Sequence, residues 1–228
     1  MRIEPLGDSA LLVRVVEEFD PEQSLDAVLR AAHQLEFAAI PGVIELAPAY
    51  TTIGVFLDPM RFTGFDEFKT KIEHALQASP EPARPRAGFA SVMEVPVCYE
   101  DEFAPDLAEV ARHASLPEEE VVARHASASY RVTCVGFTPG FPYLSGLPAE
   151  LATPRRASPR KEIPAGAVAI GGTQTGIYPR KSPGGWNLIG RTPLRLFDVE
   201  REPPVLFHAG DRVRFRRISR AEFERSSA

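Results

Sequence analysis

The chain has 228 residues, 44% of them hydrophobic and 25% charged, with a formal net charge of −5. These are the proportions of an ordinary soluble protein, long enough to bury a substantial core in one large domain or two small ones. The opening MRIEPLGDSA has no basic segment followed by a long apolar run, and Ala10 to Val13 is too short to span a membrane, so no leader or membrane contact is expected and the cytoplasm is the default location.

Charge is unevenly spread. Residues 1–150 carry 11 Lys+Arg against 24 Asp+Glu, a net −13, whereas residues 151–228 carry 15 against 7, a net +8. An anionic ligand, an acidic partner or neutralisation within the molecule would each account for the basic tail. Nucleic acid is not expected as a partner, because the basic residues are spread along strands and turns with no binding motif beside them. Cys98 and Cys134 lie far apart with no CxxC and no histidine cluster, which predicts two buried free thiols and no metal.

In chain order, Asp8 to Val16 predicts a strand. Asp20 then supplies an N-cap, Pro21 the first helical position and Gln23 the third, ahead of Leu25, Val28, Leu29, Ala32 and Leu35 at helical spacing. Pro41-Gly42 ends that helix. Val43 to Leu46 and Tyr50 to Leu57 predict two strands, and Phe65, Phe68, Ile72, Ala75 and Leu76 a second helix. The order strand–helix–strand–strand–helix begins a split βαβ arrangement over residues 1–80. The proline-rich stretch at 81–90 predicts a linker, leaving residues 91–228 as a second domain.

The second domain opens with a strand at Ser91 to Tyr99 and a short helix at Leu107, Val110 and Ala111. Ser115 and Glu118 have capping-box spacing for another helix reaching about Ala126. His113 and His125 fall near the ends of these helices, where a cation is favoured. Short strands are then predicted at 130–135, 166–170, 187–191, 193–197 and 211–217, a pattern that argues for a barrel or sandwich. The final ERSSA predicts a frayed end.

Residues 136–193 are the most unusual stretch, with ten of the sixteen glycines, nine of the twenty-two prolines and the only tryptophan, Trp186. Such alternation specifies loop shape. The stretch has no histidine, cysteine or aspartate, and its only carboxylates are Glu150 and Glu162, so it lacks a nucleophile–base pair and is suited to binding or to completing a site. GFTPGFPYL sets Phe137, Phe141 and Tyr143 on a segment stiffened by Pro139 and Pro142, with Gly140 between. Pre-ordered aromatics bind with little entropic loss, although core packing would explain Phe137 or Phe141 equally. In IGGTQTGIY, ending at Tyr178, the glycines would present backbone N–H groups to an oxyanion beside Gln174. Gly184 and Gly185 ahead of Trp186 imply a sharp turn that sets the indole against a planar ligand, a partner or the barrel rim. Arg155, Arg156, Arg160 and Lys161 would meet a carboxylate or phosphate, or form a solvated loop.

GFTPGFPYLSGLP, IPAGAVAIGGTQTGIYP, SPGGWNLIGRTPLRLFD and HAGDRVRF, with PLGDSALLV and PGVIELAPAYTTIGVFLD upstream, resemble the family of KipI and the 5-oxoprolinase B subunit, also labelled allophanate hydrolase subunit 1. The resemblance covers nearly the whole chain. It implies an α+β protein, with a small α/β N-terminal domain and a cyclophilin-like β-barrel. It also implies the B subunit of an ATP-dependent 5-oxoprolinase, acting with A-type and C-type partner proteins in a composite site, ATP being a cofactor of the complex. Phe137, Pro139, Gly140, Phe141, Tyr143, Arg160, Gln174, Tyr178, Gly184, Gly185 and Trp186 would then shape a substrate cleft or subunit face, with no catalytic residue assigned. The same family implies two alternatives: an inhibitor of a sensor histidine kinase, as KipI is, or one component of a urea- or allophanate-type carboxylase-hydrolase. Where the family often has PAGSV, this chain has Ala167 in place of the serine.

Overall fold

Apolar residues at alternate positions, Leu11 and Val13 and then Ile53, Val55 and Leu57, give the first sheet its buried face. In the computed structural model, which describes residues 1–20, 22–62, 64–78 and 92–226, β1 (Arg2–Pro5) and β2 (Ala10–Arg14) form an antiparallel hairpin. The helix α1 (Gln23–Ala38) follows, then β3 (Val43–Ala49), β4 (Thr52–Leu57) and the helix α2 (Phe65–Gln77). The sheet order is β1-β2-β4-β3. Both β2 and β3 are antiparallel to β4, so they run the same way with β4 inserted between them and α1 as the crossover. That is the split βαβ expected, with β1 added as an extra edge strand.

Leu11, Val13, Ile53, Val55 and Leu57 project from the sheet onto Val28, Leu35, Phe68 and Ile72 of the helices, and all are buried. The start of α1 is held by Asp20, whose Oδ1 accepts from the backbone N–H groups of Glu22 at 3.0 Å and Gln23 at 2.6 Å. Pro21 and the expected linker at 81–90 lie outside the described residues.

The chain divides into two units, Met1–Gly88 and Phe89–Ala228. The second is built on a seven-stranded sheet, ordered β12-β9-β10-β7-β6-β13-β5. Its strands are β5 (Val92–Val97), β6 (Tyr130–Val135), β7 (Pro142–Ser145), β9 (Ala167–Gly171), β10 (Gln174–Ile177), β12 (Asn187–Arg191) and β13 (Arg212–Arg217). The two outer strands meet: Cys98, just past β5, and Arg191, at the end of β12, exchange backbone N–H···O bonds of 2.9 Å each way. One such pair closes the sheet into a barrel. It requires glycine beside it, because a Cβ on Gly190 would lie 2.7 Å from Val97 and 3.0 Å from the Cys98 carbonyl oxygen. A separate two-stranded ribbon, β8 (Arg160–Ile163) with β11 (Ser182–Gly184), lies outside the barrel sheet.

The helices α3 (Leu107–Ala114) and α4 (Glu118–Ser127) contribute Leu107, Val110, Val121 and Val122 to the barrel core. The expected capping box does not form. Ser115 is instead the left-handed C-cap of α3, and α4 starts after Pro117 with no side-chain cap. Residues 193–197 are not a strand, since the chain leaves the sheet and only Phe197 forms an isolated bridge, to Val205. The end is not frayed as far as it is described: α5 (Arg220–Ser226) packs the buried Phe223 against Cys98 and Ile218. Both cysteines are buried thiols outside any disulfide. No helix among the described residues is long and apolar enough to cross a membrane.

The basic tail is largely neutralised inside its own unit. Arg216 pairs with Glu94 at 2.7 Å and Glu222 at 2.9 Å, Arg217 with Glu119, and Arg220 with Glu224 at 2.8 Å. His113 is exposed, but His125 is not the solvated cation its place at a helix end suggested. It is fully buried, with Tyr99 Oη 2.8 Å from Nδ1 and Thr175 Oγ1 3.1 Å from Nε2. Thr175 Oγ1 itself donates to the Ala169 carbonyl at 3.0 Å, so it accepts from Nε2–H and Tyr99 donates to Nδ1. Every hydrogen-bonding position of the neutral ring is filled.

Desolvation accordingly lowers the His125 pKa from 6.5 to about 3. Below 6.5 the unfolded chain takes up a proton that the folded chain refuses until about pH 3, so stability falls as pH drops through this window and is fully present above it. This histidine is therefore expected to remove about 1.4 kcal/mol of stability per pH unit below 6.5. Urea unfolding of the wild type and of His125→Gln between pH 7.5 and 4 checks this, because the variant should lack that part of the slope.

Candidate functional site

Strand β9 presents large residues to one face and small ones to the other. Val168 and Ile170 fill the barrel, whereas Ala167, Ala169 and Gly171 point outward. The space left above the small residues is taken by aromatic rings, with Ile163 of the β8–β11 ribbon packed against them. Phe141 is the hub, with ring centroids 4.8 Å from Tyr143, 5.1 Å from Tyr178, 5.7 Å from Trp186 and 5.7 Å from Phe137. Most of these contacts are edge-to-face, the arrangement that ring quadrupoles favour.

Glycines seat the rings. A Cβ on Gly171 would stand 2.4 Å from the Trp186 indole, one on Gly176 3.0 Å from the Phe141 ring, and one on Gly184 2.3 Å from the Tyr178 hydroxyl. The concentration of glycine in this stretch thus follows from ring packing as much as from turns. Gln174 opens β10, and the loop ahead of it is a two-residue hairpin turn at Gly172 and Thr173. The amides of Gln174 to Ile177 lie in strands paired with both β9 and β7, so this segment is not the anion-binding nest its sequence suggested.

The segment before β7 is folded twice. Phe137 has φ +66° and sits at the centre of a γ-turn, the Thr138 N–H donating to the Gly136 carbonyl at 2.8 Å. A type II β-turn follows, with Pro139 and Gly140 (φ +81°) at its corners and the Phe141 N–H donating to Thr138 at 3.0 Å. Thr138 Oγ1 is buried without a hydrogen-bond partner.

The predicted residues therefore separate into two groups. Phe141, Tyr178 and Trp186 are 2%, 2% and 5% exposed and form the floor of the layer. Phe137 is 63% exposed, Pro139 is also exposed, and Tyr143, Gln174, Gly184 and Gly185 are half-buried. Arg155 stacks its guanidinium 5.8 Å from the indole centroid. Burial raises the pKa of both Tyr143 and Tyr178, partly offset at Tyr178 by a backbone hydrogen bond from Trp186. At neutral pH both phenols are hydrogen-bond donors and not bases.

Arg160 meets a carboxylate within the chain. Asp106, 4% exposed, accepts from Arg160 Nη1 at 2.7 Å and Nη2 at 2.8 Å, from Arg156 Nη1 at 2.6 Å and from the Leu188 N–H at 2.8 Å. Asp106 stands just ahead of α3, the place of an ordinary helix cap, yet its side chain makes no cap bond. That position disguised it in the sequence. Glu162 pairs with Lys181 at 2.6 Å. No group of three or more metal-ligating side chains is present among the described residues.

Residues 1–207 match the family described as the carboxyltransferase domain, subdomain C and D. The chain belongs to this family. Among its relatives is the 5-oxoprolinase B subunit of Bacillus subtilis (strain 168), 44% identical over an alignment of 231 positions that covers 97% of this chain and 95% of that protein. The crystal structure of TTHA0988 is similar at 38% identity and a TM-score of 0.78, over 92% of this chain but only 40% of that longer one. The urea amidolyase of K. lactis, 21% identical with a TM-score of 0.75, shares the fold.

If glycine is needed at 171 to seat the indole, Gly171→Ala should displace Trp186 and cost about 1–3 kcal/mol, the usual range for overpacking. Intrinsic fluorescence reads this directly, since Trp186 is the only tryptophan. Its emission should shift to the red in Gly171→Ala and stay unchanged in Gly185→Ala, where a Cβ has 3.6 Å of clearance.

Proposed function

We propose that this chain is the B subunit of an ATP-dependent 5-oxoprolinase, which converts 5-oxo-L-proline, ATP and water to L-glutamate, ADP and phosphate. The observation that carries this reading is the 44% identity to a 5-oxoprolinase B subunit across nearly the full length of both chains. The chemistry of the aromatic layer is compatible with it. Two protonated phenols, one guanidinium and a set of rings can bind and orient a ligand, but they offer neither a base nor a nucleophile at neutral pH. The activating and cleaving groups are therefore assigned to the A-type and C-type partner proteins, and ATP to the assembled complex.

In this reading Phe137 is the anchor of a subunit face. A left-handed φ on a bulky residue costs on the order of 1–2 kcal/mol. Here it holds an exposed ring over the buried Phe141, and an exposed, pre-ordered aromatic is a typical binding hot spot. The C-type protein is its proposed partner.

Reconstitution tests both statements. The chain mixed with its A-type and C-type partners should release L-glutamate from 5-oxo-L-proline only when ATP is present; folded, assembled proteins that yield none would remove the enzyme reading. Phe137→Gly should relieve the backbone and leave the chain as stable as the wild type or more so, while weakening binding to the C-type protein about tenfold or more. Unchanged binding would leave Phe137 without this role.

A further inference from the structure

A second cleft opens beside the ribbon. It measures about 440 Å³, and its lining includes Arg160 at the start of β8 and Arg191 at the end of β12. Both guanidinium groups are fixed in place without being saturated. Arg160 gives one N–H from each terminal nitrogen to Asp106, which leaves three of its five donors. Arg191 gives only Nε–H, to the Ala165 carbonyl at 2.9 Å, and stacks over the rings of Phe103 and Phe223. Its four terminal N–H groups remain.

The charge balance leaves an excess of positive charge. Arg156 and Arg160 share the single buried carboxylate of Asp106, and Arg191 on the cleft wall pairs with no acid among the described residues. The two acids on the cleft wall are already matched, Glu162 by Lys181 at 2.6 Å and Glu102 by Arg220 at 3.2 Å. The rest of the wall is apolar, from Phe103, Pro105, Pro164 and Leu188. A site with two preset guanidinium groups and a short apolar wall suits a small organic acid, whose carboxylate takes charge-assisted hydrogen bonds while its hydrocarbon part is removed from water.

We propose that the cleft between β8 and β12 binds the carboxylate of a small organic acid through Arg160 and Arg191. That the acid is 5-oxo-L-proline rests on the function proposed above; that the cleft takes a carboxylate does not. Asp106 is then a positioning residue, since its bidentate bond fixes the plane of the Arg160 fork.

The test uses the assembled complex for kinetics and the full chain for titration. Arg191→Gln should raise KM for 5-oxo-L-proline about 10-fold to 100-fold and leave KM for ATP unchanged, as expected for the loss of a charge-assisted bond. Glu162→Gln, a surface change that removes a negative charge from the cleft wall and leaves the Lys181 cation unpaired, should lower KM about two- to threefold. If Arg191→Gln melts like the wild type and keeps its KM, the site is wrong. Should Arg191→Gln fail to fold, an unchanged KM in Glu162→Gln overturns it instead. Calorimetric titration of the full chain with 5-oxo-L-proline, acetate and inorganic phosphate separates this from the proposed function. Binding of either carboxylate that Arg191→Gln abolishes supports the site even in a complex that releases no glutamate. Preference for phosphate, or no binding of either carboxylate, overturns it even in a complex that turns over.

Discussion

The Asp106 carboxylate is the interaction on which the second unit most depends. A buried, ionised acid is tolerable only when its lone pairs are filled, and here they receive four donors from three places: the Arg156 loop, β8 and the β12 backbone. The Asp106 N–H also donates to the Leu188 carbonyl at 3.0 Å, so backbone and side chain together clip the start of α3 to β12. Helix, ribbon and barrel edge are thereby held at one point. Removing the acid would leave two guanidinium groups facing each other in a partly dry space, a larger loss than any single bond.

From that fixed point follows a layered arrangement in which β9 serves two cores. Its inward valine and isoleucine belong to the barrel, and its outward alanines and glycine belong to the aromatic layer. Neither layer can shift without the other, because one backbone carries both. The strained Phe137 turn sits at the edge of this doubly fixed structure, and such a setting is what keeps an unfavourable φ in place.

Much of this was legible in the sequence. Periodicity located β2, α1, β4 and α2 because each has one dry face and one wet one, and it located β6, β9, β12 and β13 because their runs are bounded by turn residues. It missed β7 and β10, whose glycine and proline neighbours look like loop, although Gly176 lies inside a strand to admit a ring. Residues 193–197 are apolar enough for a strand, but they follow the point at which β12 has already closed the barrel. The aromatic members of the site were recognisable by type. Their division into floor and rim was not, since that depends on which face of the sheet the ribbon covers. Asp106 and His125 were hidden by local context: one resembles a cap, the other a helix-end cation, and their partners lie as much as 82 and 50 residues away in sequence.

The pairing of β5 with β13 has a consequence for synthesis on the ribosome. These parallel neighbours, at residues 92–97 and 212–217, come from opposite ends of the second unit. The barrel therefore cannot close until nearly the whole chain has emerged, and loop-closure entropy makes so distant a contact slow to form. The first unit is assembled largely from adjacent hairpins and can fold while the rest is still being made. During that interval β5 waits with an unpaired edge and with Val95 and Val97 not yet buried, a segment open to wrong pairing.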